Sequence, residues 1–170
     1  MNVIEAIRTK RAVRSYRSVP LPDDVVQSIL HAGRRAQSAK NDQPWHFIAI
    51  RERSILQALS ATSPNVAHIA GSALTVAIVT PPPSRKQTIL FDAGQSAACM
   101  QLAAWELGVV SCLATVYEYE QARRMLEFPD DMHLHLAVAF GYPEPVDAEP
   151  RAGRKGGRRT LDDIVHWDRW

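Results

Sequence analysis

Hydrophobic and polar positions alternate along this chain in two rhythms, and the changes of rhythm divide it into elements. Residues 2–9 predict a short helix with Val3, Ile4 and Ile7 on one face, before RAVRSYRS breaks the pattern. PDDVVQSILHAGRRAQ predicts a second helix: Pro22 and two aspartates suit a first turn, and Val25, Val26, Ile29, Leu30 and Gly33 form the inner stripe. HFIAI, from His46, is short and rich in Phe and Ile after a run of turn formers, which predicts a buried strand. SILQALSA and the segment around NVAHIA predict short helices, and ALTVAIVT a core strand stopped by PPPS. Residues 86–107 give the longest helix, small and apolar on nearly every face, as expected of a helix packed on both sides, with Gly108 ending it. VVSCLATV reads as extended, EQARRMLEF as a short helix and LHLAVAFGY as a strand ending at Pro143. This irregular alternation with a helical excess predicts an α+β sandwich, with residues 1–170 as one domain.

The end of the chain departs from that pattern. EPVDAEPRAGRKGGRR is a polar Pro/Gly/Arg linker, and LDDIVHWDRW is a tail whose apolar residues need a surface to cover them. That surface is either the chain's own domain or a partner subunit. Net charge is only +2, which does not announce a nucleic-acid binder, but the basic residues cluster. Lys10, Arg11, Arg14 and Arg17 stand near one end, with Arg8, and Arg151, Arg154, Lys155, Arg158 and Arg159 near the other. Either cluster is a solvated surface or a holder of an anion, and two of them on a nearly neutral chain suggest convergence on one anionic ligand. Cys99 and Cys112 lack metal or redox spacing and read as free, buried thiols. No segment reaches membrane-spanning length and no leader is evident, so the expectation is a soluble, cytoplasmic protein.

Several chemistries lack their motifs. GxGxxG, GxxxxGK[ST] and GxSxG are absent. His133 and His135 are spaced to chelate a metal, but no third ligand stands at suitable spacing, so they read as ordinary strand histidines. Asp23–Asp24 and Asp162–Asp163 stand where helix N-termini favour negative charge. The polar run Ser38–Gln43 before Pro44 and Trp45 carries more hydrogen-bonding groups than a plain turn requires.

Taken in order, these stretches resemble one family. KRAVRSY is similar to the RRSxRxF opening motif of the nitroreductase-like, FMN-dependent oxidoreductases, and SAKNDQPWHFIAI to their PSxxNxQPWxF loop and strand. DAGQSAACMQLAAWELGVVSCLAT resembles their central helix and following turn, and AFGYPEP with RRTLDDIVHWDRW their GYP turn and C-terminal ending. The resemblance implies a nitroreductase fold: a central mixed sheet flanked by helices, in an intertwined homodimer whose C-terminal segments cross to the partner subunit, with two FMN sites at the interface. Carried over, Lys10, Arg11, Ala12 and Arg14 match FMN-binding positions of the opening motif. Arg158 and Arg159 match the C-terminal phosphate contact, and Ser38 and Asn41 match positions that approach the flavin from the other subunit. Leu113, Ala114 and Thr115 match a segment whose backbone faces the flavin, and Asn65 and His68 fall where relatives place a polar and a basic residue. Gln43 would then fix its own loop, with Lys40 and Asp42 merely solvated. Ala12, Gln37, Ala39 and the stretch GVVSCLAT depart from the family pattern, and almost nothing stands in place of the lid between PPPS and the central helix.

The implied activity is reduction of nitroaromatics, quinones or similar flat electrophiles by NADH or NADPH in ping-pong order. The chemistry is carried by FMN, with no side chain acting as acid or base and no metal, and with Arg14, or a protonated His68, stabilising negative charge on the reduced flavin. Three other readings stand beside it: a flavin store or sensor with little turnover, a flavin enzyme of other chemistry such as reductive dehalogenation or flavin fragmentation, and a basic nucleic-acid module using RKGGRR.

Overall fold

The computed structural model describes residues 1–148 and 157–170. Its helices are α1 (Val3–Thr9), α2 (Asp23–Arg34), α3 (Arg53–Ser60), α4 (Thr88–Glu106), α5 (Tyr119–Leu126) and the single turn α6 (Pro145–Ala148). The strands are β1 (His46–Ile50), β2 (Leu74–Thr80), β3 (Val110–Thr115) and β4 (His133–Gly141). They form one sheet in the order β1-β2-β4-β3, and every strand pair is antiparallel. The expected mixed sheet is therefore corrected: among the described residues the only parallel contact is an isolated bridge between Ala12 and Ser111. A bulge interrupts the β2–β4 ladder, where Ile78 faces Leu136 and Val79 faces Leu134, so His135 is the extra residue.

Each face of the sheet has its own apolar layer. On one, Val26 and Ile29 of α2 and Met100 and Ala104 of α4 pack over Val76, Ile78, Val138 and Phe140. On the other, Leu56 and Leu59 of α3, Ala122 of α5, and Val66 and Ile69 from the 3-10 segment Pro64–Gly71 pack over Val79, Ala137 and Ala139. α2 and α4 approach closely at Gly33, where an added Cβ would stand 2.2 Å from Met100 Cε. Gly108 follows α4 at φ +72°, the left-handed position that ends a helix when no side chain obstructs it.

Three expectations about packing are corrected, and one apolar face is found bare. On α1 only Ala6 is buried, and the predicted shared face of Val3, Ile4 and Ile7 lies 59–74% exposed. Periodicity identifies residues that share a face but not the side on which the protein lies. HFIAI forms an edge strand rather than a buried one, with Ile50 alone fully covered. α4 is packed on one side, leaving Phe91, Gly94 and Ala98 on an open face. The predicted linker begins with the helical turn α6, while its residues 149–156 lie outside the described residues. The tail, from Gly157 to Trp170, is exposed throughout, Trp167 at 86% and Trp170 fully. Within it Thr160 and Asp163 cap each other, the threonine N–H donating to Asp163 Oδ2 at 3.1 Å and the aspartate N–H to Thr160 Oγ1 at 3.3 Å. No helix among the described residues is long and apolar enough to cross a membrane.

Candidate functional site

The basic opening segment runs from α1 along the outer edge of β3. Val13 and Tyr16 bury their side chains and anchor it; Val13 N–H donates to Ser111 O at 3.1 Å, and Tyr16 bridges Pro143. The two cations ahead of Val13 are held at set positions. Lys10 Nζ donates to Gln101 Oε1 at 3.1 Å, and Gln101 Nε2 donates to Ser111 Oγ at 3.1 Å, so one buried amide ties the segment to both α4 and β3. Arg11 donates to the carbonyl of Asp147 on α6, while Arg14 extends into solvent.

Cys112 is the centre of this arrangement. Burial pushes its thiol pKa up, and both Arg14 and Lys10 lie close enough to pull it partly back. Burial first, and then the Arg14 guanidinium, hold the His68 imidazole below its ordinary pKa, with the Cys112 and Asn65 backbones opposing. This environment favours the neutral imidazole, and the charge beside it is the Arg14 guanidinium. His68 Nε2 is buried without a hydrogen-bond partner, a costly condition that invites a ligand group. Leu113 and Thr115 project outward on either side of buried Ala114, and no strand adjoins β3 beyond them among the described residues. A sheet edge of this kind leaves backbone donors and acceptors open.

The second polar group of residues is the loop before β1. Lys40, Asn41 and Gln43 all have positive φ, at +57°, +57° and +47°, though none is glycine. Non-glycine residues hold this geometry only when surroundings enforce it, and such strain concentrates at functional sites. Ser38 Oγ accepts Gln43 N–H at 2.9 Å, and Gln43 Nε2 donates to Asn41 O at 3.3 Å, so Gln43 does fix its own loop. Asp42 forms an ion pair with Lys86, which corrects the expectation that it is simply solvated. From beneath, the Asp92 carboxylate of α4, 2% exposed, accepts Ala39 N–H at 3.2 and 3.3 Å through its two oxygens. Trp45 is buried behind the loop and stacks on Phe47 with ring centroids 6.5 Å apart.

The structure thus brings Lys10, Arg14, Asn65 and His68 together around Cys112 at the start of the Leu113–Thr115 segment. It holds Ser38 and Asn41 in the separate loop set. Arg158 and Arg159 are exposed and form no hydrogen bond or ion pair with described residues, so among the described residues these two do not meet the opening segment. Arg151, Arg154 and Lys155 lie outside the described residues. Gln101 and Asp92, which brace the two sets, escape sequence reasoning. The only signal is a carboxylate and an amide within an otherwise small, apolar helix. His133 and His135 pack with ring centroids 4.0 Å apart beneath Tyr119, at the β4 bulge.

Comparison with known proteins agrees with this fold. The model of the nitroreductase family matches residues 7–78 and 62–142. A Methanothermobacter thermautotrophicus protein provisionally named NADH dehydrogenase/NAD(P)H nitroreductase is 29% identical over 179 aligned positions, which cover 100% of this chain and 88% of that one. The NADH dehydrogenase of Thermus thermophilus is 26% identical over 196, covering 93% and 92%. Among solved structures, a nitroreductase family protein of Clostridium difficile 630 superposes with a TM-score of 0.86 at 22% identity over 100% of both chains. An FMN-dependent nitroreductase of Clostridium difficile R20291 gives 0.84 at 22% identity, covering 99% and 100%. The chain belongs to the nitroreductase family of NAD(P)H oxidoreductases.

Proposed function

We propose that the protein is an FMN-dependent oxidoreductase that passes electrons from NADH or NADPH to flat electrophiles such as nitroaromatics and quinones. In this reading residues 1–170 form one flavin-binding domain that works as a homodimer. The observation that carries it is the set around Cys112: a solvent-facing guanidinium at Arg14, a half-buried ammonium at Lys10, and a buried imidazole nitrogen of His68 with no partner, all beside an open sheet edge. A flavin mononucleotide fits that chemistry. Lys10, together with Arg158 and Arg159 of the tail, suits the phosphate, and the Leu113–Thr115 backbone suits the polar rim of the ring.

When bound, FMN would supply the hydride chemistry, accepting from the nicotinamide and giving to the electrophile. The protein's part is electrostatic and positional. Arg14 offers a fixed positive charge where negative charge develops, and neutral His68 offers a hydrogen bond rather than a second charge. Gln101 holds Lys10 at its station, and the strained loop holds Ser38 and Asn41 ready before any ligand arrives. The short PPPS–Lys86 connection leaves room for flat acceptors.

The homodimer rests on apolar surface that one chain leaves bare. Val3, Ile4 and Ile7 of α1, Phe91 of α4, and Leu161, Ile164, Trp167 and Trp170 of the tail are all exposed. Large apolar side chains left bare in this number are what a partner surface would cover. The proposal for the tail is that it crosses to the partner.

The deciding experiment is anaerobic titration. The purified protein should take up one FMN per chain, show the yellow of oxidised flavin, and bleach on adding NADH or NADPH. Colour should return with a quinone or nitroaromatic. A protein that neither carries nor takes up FMN overturns the proposal, and one that binds FMN without bleaching is a flavin store.

A further inference from the structure

Asp92 is a carboxylate almost wholly removed from water, and nothing assigned so far requires it to be one. It is the fifth residue of α4, past the first turn in which helix N–H groups and the dipole favour an acid. Its only hydrogen-bond donor among the described residues is Ala39 N–H, shared between its two oxygens at 3.2 and 3.3 Å. A buried charge served by one donor is expensive, so the placement of that donor deserves an account.

Ala39 opens the loop in which Lys40, Asn41 and Gln43 take positive φ. The loop's internal bonds set its shape: Asn41 N–H to Ser38 O at 3.0 Å, Asp42 N–H to Ala39 O at 3.1 Å, and Gln43 N–H to Ser38 Oγ at 2.9 Å. They do not fix where that shape sits on the protein. Three ties do so. Lys86 to Asp42 lies at the surface, and Gln95 Nε2 to Gln37 O, at 3.4 Å, is long and exposed. Asp92 to Ala39 is the one anchored on a side chain withdrawn from water, where a hydrogen bond is stronger and less easily exchanged.

We propose that Asp92 is a positioning residue for the cofactor: by accepting Ala39 N–H from beneath, it holds the left-handed loop where Ser38 and Asn41 meet the flavin. This rests on the FMN reading above. A core polar group that merely satisfied its own hydrogen bond would affect stability alone.

The test compares Asp92→Ala, Asp92→Asn and the double variant Asp92→Ala/Lys40→Gly. Readouts are the FMN dissociation constant, amide exchange at residues 39–43 of the apoprotein, and the melting temperature. Asp92→Ala removes a hydrogen bond to a charged group and should weaken FMN binding by about tenfold or more, with loop amides exchanging faster by a similar factor. Asp92→Asn keeps an oxygen acceptor and should stay within about threefold of the parent on both. Adding Lys40→Gly, which takes positive φ without steric cost, should recover about fivefold of the lost affinity.

If Asp92→Ala does not fold, Ala39→Pro deletes the same donor from the loop side. Ser38 is already extended at φ −143° and ψ 154°, the geometry a following proline favours, so the backbone admits it. The same loss of affinity is expected. A lowered melting temperature with FMN affinity and loop exchange both unchanged overturns the proposal. If the parent protein binds no FMN, the functional reading fails by itself. Loop exchange in Asp92→Ala then decides whether Asp92 holds the loop, and unchanged exchange refutes that.

Discussion

Replacing Gln101 by leucine should uncouple the basic opening segment from the sheet while leaving the shape of the core almost intact. The two side chains are close in volume, so the change removes two polar contacts, Lys10 Nζ to Oε1 and Nε2 to Ser111 Oγ, each 3.1 Å, and little packing. A hydrogen bond to a charged group is worth about 1.5–3 kcal/mol and one between neutral groups about 1 kcal/mol. Lys10 is only half-buried and can turn to water, which lowers the first figure; Ser111, 2% exposed, cannot. Leucine itself is easier to bury than the amide. The balance is a loss of about 2 kcal/mol, or about 4–8 °C in melting temperature for a chain of this size. Urea unfolding of the parent, Gln101→Leu, Lys10→Met and the double variant forms a cycle, with a coupling of about 1 kcal/mol expected between residues in direct contact. Both single variants should also weaken FMN binding, because Gln101→Leu frees the ammonium from its station and Lys10→Met removes it. Additivity to within about 0.3 kcal/mol would show that the 3.1 Å contact does not operate in solution and would remove the argument for a fixed Lys10.

The glycines give a second contrast. A Cβ at Gly141 would stand 2.9 Å from Tyr16 Cβ and Cδ1, and Tyr16 is pinned by its bridge to Pro143, so Gly141→Ala should cost about 1–3 kcal/mol and also loosen FMN. Gly33→Ala presses on the flexible end of Met100 in the α2–α4 contact instead; it should lower the melting temperature with FMN affinity unchanged, which calorimetry and fluorescence titration together would check. His135 supplies a pH dependence. Burial and then neighbouring His133 lower its pKa from 6.5 to about 4, with Tyr119 also against the pair and Glu120 acting on His133. Between those values the unfolded chain binds the proton and the folded chain does not, so stability is present above about pH 6.5 and falls as pH drops toward 4. After allowance for solvent screening the loss is on the order of 1 kcal/mol, and His135→Phe should flatten that part of the profile in urea midpoints taken across it. On the proposed homodimer, ending the chain at Thr160 should leave a monomer in sedimentation equilibrium with circular dichroism unchanged; a dimer that persists would show that the tail does not cross.

What the sequence made legible follows from which physical signals are local. α2, β2 and the end of α4 carry theirs in the chain itself: a stripe at helical spacing, a β-branched run stopped by prolines, and a glycine at the left-handed position. Strand direction has no such signal, because β4 looks the same beside a parallel or an antiparallel neighbour, and the mixed sheet expected from family resemblance is in fact antiparallel throughout. The outward turn of Val3, Ile4 and Ile7 was equally hidden, since the pattern does not say what an apolar face covers. The loop carried half of its signal. Its surplus of polar groups was visible, but left-handed backbone at Lys40 and Gln43 was not, because neither residue type favours it and the forces that impose it come from distant residues. Asp92 and Gln101 were hidden for the same reason, their partners standing 53 and 91 positions away.

Those two residues carry the last step of the argument. Asp92 braces the loop with Ser38 and Asn41, and Gln101 braces the opening segment with Lys10 and Arg14. They are nine positions apart on one helix, which places them about 14 Å apart along the axis and about 180° round it. Both are buried, so they mark the two flanks of the packed face of α4, with its open face, Phe91, Gly94 and Ala98, between them on the far side. The two groups of residues that α4 holds in place therefore look away from each other. In the proposed homodimer, two chains related by a twofold axis across the open face of α4 would each give its opening segment to one site and its loop to the other. On that reading the dimer is part of the site, and separating the chains should abolish flavin binding and not merely weaken it.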